Sequence, residues 1–231
     1  MIRVQRLEWR RLRTLAFLLA AFSNAALAAP FGVQVGDTKL ALDPPPGFSD
    51  VQATGSPRLL ELGEALTSAS NRILLFALED SDVRRFTVGD SPELRRYAII
   101  VTPRDLQTAR VTLAAFRSVV GDALRDIGSP PDPKQPLRDY LDAEPRRPKL
   151  LAELRKDQDV VSIMQGARLP DAPRSRDETP RYLLSSTSFM LVRGKALNLG
   201  LYTTQNGPED VEWLRSATLR WVEELRQLNL R

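Results

Sequence analysis

The sequence predicts an α+β domain with a central, mostly antiparallel sheet flanked by helices and closed by a C-terminal hairpin and an amphipathic helix. Three observations predict it. Residues 181–202 read as two strands folded over Arg193-Gly194-Lys195, residues 208–228 carry helical periodicity, and residues 72–78 and 97–101 are near-continuous apolar runs of strand length.

Residues 1–28 have the layout of a secretory signal: Arg3, Arg6, Arg10, Arg11 and Arg13, an apolar run over 15–22, then Ala26-Leu27-Ala28 as a small-x-small cleavage site. The expected mature N-terminus is Ala29, in the periplasm or outside the cell. The apolar run is shorter than the roughly 20 residues that span a bilayer, so an uncleaved anchor is disfavoured. Arg13 stands where a twin-arginine signal wants an apolar residue, which favours ordinary secretion. Residues 29–231 form the expected single domain, with a proline-rich insertion near 129–149.

Along that domain, residues 32–35 and 39–42 flank Gly36-Asp37 as a short hairpin, and prolines 44 to 46 form a rigid corner before Gly47-Phe48. Ser56-Pro57 opens a helix through Leu59, Leu62, Leu66 and Ala69, with Gly63 as a soft point. The run over 72–78 follows as a central strand. Residues 79–94 are charged and punctuated, and the strand over 97–101 is closed by Pro103. Thr112 caps a helix with Phe116, Val119, Val120, Ala123, Leu124 and Ile127 as its inner side, ending at Gly128. A turn of helix near 137–141, a short helix through Leu150, Leu151 and Leu154, and a strand over 160–164 come next. The polar stretch 170–180 reads as an exposed connection.

In the closing hairpin Leu197, Leu199 and Leu201 alternate with Ala196, Asn198, Gly200 and Tyr202, the period of two of a sheet with one covered face. Ser185, Ser186, Thr187 and Ser188 suit a half-solvated pleat. Asn206 or Gly207 caps the last helix, Pro208 sits in its first turn, and Glu209 and Asp210 face the N-terminal dipole. At 100° per residue Val211, Leu214, Ala217, Thr218, Trp221, Val222, Leu225 and Leu228 gather on one side, so this helix packs on the sheet. Trp213, about 100° off that arc, is the candidate partner-binding residue; its alternative role is to cover the edge of the core.

The full chain carries 33 basic and 29 acidic residues; without five arginines and one glutamate of the signal it holds 28 of each. The mature chain is formally neutral, so nucleic acid is not an expected partner, nor is stable membrane insertion once the signal is removed. The sequence contains no cysteine and no histidine. That excludes Ser-His-Asp and Cys-His catalysis, thiolate metal sites and zinc or haem sites that need histidine. No catalytic, metal or cofactor-binding residues stand out, and no cofactor is expected. Gly89-Asp90-Ser91 resembles a hydrolase nucleophile block, but that chemistry needs a histidine base, and a turn before Pro92 accounts for it. Glu79, Asp80 and Asp82 offer oxygen ligands for calcium, yet Val83-Arg84-Arg85 follows where a calcium loop continues with glycine.

An exported chain with Pro46-Gly47-Phe48, a following helix, an antiparallel sheet, and a closing hairpin plus a tryptophan-bearing helix resembles the PsbP-like α/β/α sandwich group. The resemblance is one of layout over residues 31–228, and residues 129–149 depart from it. It implies an accessory or binding protein without a shared catalytic constellation. The expected function is therefore a non-enzymatic periplasmic binding module whose partner is an envelope protein or a small ligand. A carboxylate-dependent hydrolase of envelope carbohydrate is the alternative.

Overall fold

A computed structural model describes residues 30–125, 127–144, 147–170 and 180–230. The proposed signal and most of the 170–180 connection lie outside the described residues. Seven strands form one antiparallel sheet in the order β3-β4-β5-β9-β8-β7-β6: β3 (Phe48–Asp50), β4 (Asn71–Glu79), β5 (Arg96–Pro103), β6 (Lys149–Lys156), β7 (Val160–Arg168), β8 (Tyr182–Val192) and β9 (Lys195–Gln205). β1 (Phe31–Val35) and β2 (Thr38–Leu42) pair separately as a hairpin. The helices are α1 (Pro57–Ala65), α2 (Asp80–Thr87), α3 (Leu113–Arg125), α4 (Leu137–Asp142) and α5 (Glu209–Asn229). The α+β class and the C-terminal hairpin and helix are as the sequence predicts.

The hairpin turns on two residues, Arg193 and Gly194, both at positive φ (52° and 82°), because Val192 pairs directly with Lys195. That geometry matches the right-handed twist of the flanking strands. Lys195 therefore belongs to β9, and its buried Nζ donates to the carbonyls of Gln107 and Ala109, each at 3.0 Å.

One sheet face carries the main core. Leu75, Ala77, Ala98, Ile100, Leu184, Met190, Leu197, Leu199 and Leu201 meet Leu214, Trp221, Val222 and Leu225 of α5, with Val35, Leu40 and Leu42 of the small hairpin beside them. Asn229 fixes that hairpin to the end of α5 by accepting from Ala41 N (3.0 Å) and donating to Ala41 O (2.8 Å). Ser186 and Ser188 lie in this core, where the sequence suggested a half-solvated pleat. They are satisfied by side-chain partners, Ser186 with Thr218 (2.6 Å) and Ser188 with Ser162 (2.7 Å). A buried hydroxyl with a partner loses little relative to water.

The opposite face is covered in two patches. α1 lies over Phe76, Leu78, Tyr97, Ile99 and Val101. Gly63 is a close-approach position there rather than a soft point, since a Cβ would sit 2.8 Å from the Phe76 ring. α3 covers Val161 with only Phe116 and Val120 buried, and Leu124, Phe189 and Leu191 pack around them.

Candidate functional site

α3 begins where Thr112 accepts from Ala115 N (3.2 Å), and Val111 N donates to Gly194 O (2.8 Å), which ties the helix start to the closing hairpin. Phe116 and Val120, four residues apart, stand on one side of the helix. Val119, expected on the inner side, is 62% exposed. The helix lies over only part of the sheet face, so one flank of the expected apolar arc has nothing beneath it.

Beside α3, β6 and β7 turn at Asp157-Gln158-Asp159, where Asp157 N donates to Val160 O (2.7 Å) and Leu191 N donates to Asp159 O (2.8 Å). Between this turn, the start of α3 and the end of α5 is a cleft of about 800 Å³, lined by Leu113, Arg117, Lys156, Asp157, Asp159 and Arg226. Next to it, along the flank of α3, is a more apolar hollow of about 420 Å³ lined by Phe116, Val120, Gly121, Leu124, Val161 and Arg125. Both volumes fall in the roughly 300–1,000 Å³ range of ligand pockets. Arg117, Lys156 and Asp157 line both parts and so mark their junction.

The acids of the cleft are engaged. Asp157 accepts from Arg155 Nε (2.6 Å) and lies 3.6 Å from Arg226 Nη1, while Asp159 lies 3.4 Å from Arg226 Nη2. Arg155 also donates to Glu223 (3.0 Å); hydrogen bonds from Gln227 and Arg155 hold the Glu223 carboxyl below its usual range. Arg117 differs. Among the described residues its guanidinium makes one hydrogen bond, from Nε to the Gln158 carbonyl at 3.4 Å.

Trp213 lies elsewhere, half-buried near the start of α5. Its ring stacks on Phe48 (centroids 6.4 Å apart), with the Arg96 guanidinium 3.8 Å from its centroid. The acids weighed as calcium ligands point to separate partners. Glu79 is 3.6 Å from Arg96, Asp80 accepts from Ser49 (2.6 Å), and Asp82 accepts from the backbone of Glu93 and Leu94, both at 3.1 Å. Ser91 of the Gly89-Asp90-Ser91 turn accepts from Arg58 (3.2 Å), and Asp90 faces Arg85 (3.9 Å).

A further concavity of about 470 Å³ is lined by Asp43, Glu223, Glu224, Gln227 and Leu228. Burial and the charge of Glu224 raise the Asp43 carboxyl above its usual range, and its Oδ1 is buried with no partner among the described residues. Neither the α3 cleft nor the Asp43 concavity was found from the sequence. The signal present in advance was the Lys156-Asp157 pair before an apolar strand, too common to single out.

No protein-family model and no curated protein matches the chain. Among solved structures, the Ran-binding protein Mog1p of Saccharomyces cerevisiae aligns over 88% of this chain and 94% of its own, at 10% identity and a TM-score of 0.33. At that score the likeness carries no inference about this protein.

Proposed function

We propose that the protein is an exported, non-enzymatic binding or accessory module of the cell envelope, related in layout to the PsbP-like group, and that the α3 cleft is its binding surface. The observation that carries this reading is that the polar cleft and the more apolar hollow share Arg117, Lys156 and Asp157 along the flank of a helix that buries two residues. A helix held by so few contacts yields to a ligand at little cost. Among the described residues no helix is long and apolar enough to cross a membrane.

Gly121 is exposed and borders the hollow, and a Cβ there meets nothing, so Gly121→Trp places a large ring at its opening without disturbing the core. Envelope components captured by the mature protein are expected to be lost with this variant. Identical capture by both proteins would refute the assignment of the cleft. Export is tested by intact mass: envelope-derived protein is expected to begin at or next to Ala29, and a full-length mass in the membrane fraction would show an anchor instead.

A second reading, hydrolysis of envelope carbohydrate, is supported by Asp43, a carboxyl raised by burial beside a second acid, Glu224. If that reading holds, purified glycan strands are cleaved by the mature protein and left intact by Asp43→Asn. Absence of new reducing ends with the wild-type protein would eliminate it.

A further inference from the structure

We propose that the α3 cleft binds a free single-chain fatty carboxylate, with its head at Arg117 and Lys156 and its tail in the hollow along the flank of α3. This rests on the cleft being the binding surface and names the class of ligand it takes.

The tail site is apolar. Phe116, Val120, Leu124 and Val161 contribute its apolar wall, and Gly121 leaves it open on the side of α3. The charged residues Arg117, Arg125, Lys156 and Asp157 border this wall, and an alkyl chain laid against its apolar part gains by leaving water. The head site is defined by the two cations of the cleft whose partners hold them least. Arg226 and Arg155 occupy Asp157 and Asp159, which leaves these acids with little attraction for a cation. Lys156 pairs with Glu153 at 3.3 Å, but both side chains are largely exposed (69% and 47%), and such pairs exchange readily. Arg117, with one long bond to a carbonyl, keeps most of its planar fork of donors free at the junction, and that fork matches a carboxylate in two-point contact. A cationic group facing the mouth of an apolar hollow selects an anion attached to a chain, and neither part alone suffices.

The opening is bounded on one side by α3 and on the other by the β6–β7 turn, so the ligand enters lengthwise with its head left at the rim. The head contact is exposed and is therefore expected to weaken as salt rises.

Isothermal titration of the mature full chain with dodecanoate below its micelle concentration tests the proposal, with dodecan-1-ol, dodecyltrimethylammonium and acetate as comparisons. Saturable binding of one dodecanoate is expected, with acetate silent and the alcohol and the cation at least about tenfold weaker. Arg117→Ala/Lys156→Ala, both exposed positions, is expected to weaken dodecanoate about tenfold without lowering the melting temperature, and Gly121→Trp to abolish binding. Equal binding of dodecanoate and the alcohol, indifference to Arg117→Ala/Lys156→Ala, binding that survives Gly121→Trp, or no dodecanoate binding would each overturn it. Loss of envelope capture with Gly121→Trp alongside no dodecanoate binding would remove this ligand class and leave the binding-module reading standing. Capture unaffected by that variant would remove the reading itself.

Discussion

Trp221→Ala is expected to lower stability by about 3–5 kcal/mol in denaturant titration, the range for large aromatic truncations in cores. Trp221 is 1% exposed, among the largest fully buried side chains, and packs with the leucines of β9 against the small hairpin. Its Nε1 also donates to the Asp43 carbonyl at 2.8 Å, so truncation opens a cavity and removes that acceptor's partner together. The same bond anchors the chain just after β2. Trp213→Ala is expected to cost clearly less, because that ring is half-buried and its neighbours Phe48 and Arg96 keep contacts of their own. Equal losses for the two tryptophans would refute the assignment of the inner face of α5.

Most of the sheet was legible because its strands carry period-two or continuous apolar runs, and α5 because its start signals and periodicity agree. The departures have physical causes of two kinds, local irregularity and contacts remote in sequence. Leu150, Leu151 and Leu154 predict a short helix, since their spacing breaks the period of two, but they lie in strand β6. Register shifts between Leu150 and Ala152 and between Glu153 and Arg155 break it in the structure as well, and let Leu151, Ala152 and Leu154 all pack on the core. A strand with two bulges imitates helical spacing. α2 was missed because its fold depends on a distant contact: Asp82, 4% exposed, accepts from the backbone of Glu93 and Leu94, and Leu94 takes a positive φ of 54°. The cleft was invisible for a related reason. Phe116, Lys156 and Arg226 lie far apart in sequence, and only the sheet order brings their elements together.

Asp210→Ala is expected to cost about 3 kcal/mol near pH 7, toward the lower end for breaking a buried ion pair because Arg96 retains Glu79 and the Trp213 ring. The Asp210 side chain is fully buried at the start of α5. It accepts from Arg96 Nη2 (2.8 Å), Asn206 N (2.8 Å) and Gly207 N (3.1 Å), so it closes the turn before the helix and joins α5 to β5. Burial pushes its carboxyl up, but the two backbone donors and Arg96 together outweigh burial and hold it below the usual carboxylate range. A folded-state pKa below the unfolded value of about 3.9 means that the unfolded chain binds more protons between the two. This contribution is then fully present above that value and is lost as pH falls through the folded pKa. Glu79, raised chiefly by burial, acts in the opposite sense over a higher range, where its neutral form favours the folded chain. Asp210→Asn keeps a side-chain acceptor and removes the titrating charge. Melts from pH 7 downward are therefore expected to show the wild type losing stability faster than Asp210→Asn through the carboxylate range, with the gap between them narrowing. Parallel curves for the two proteins would show that Asp210 holds its place without depending on its charge.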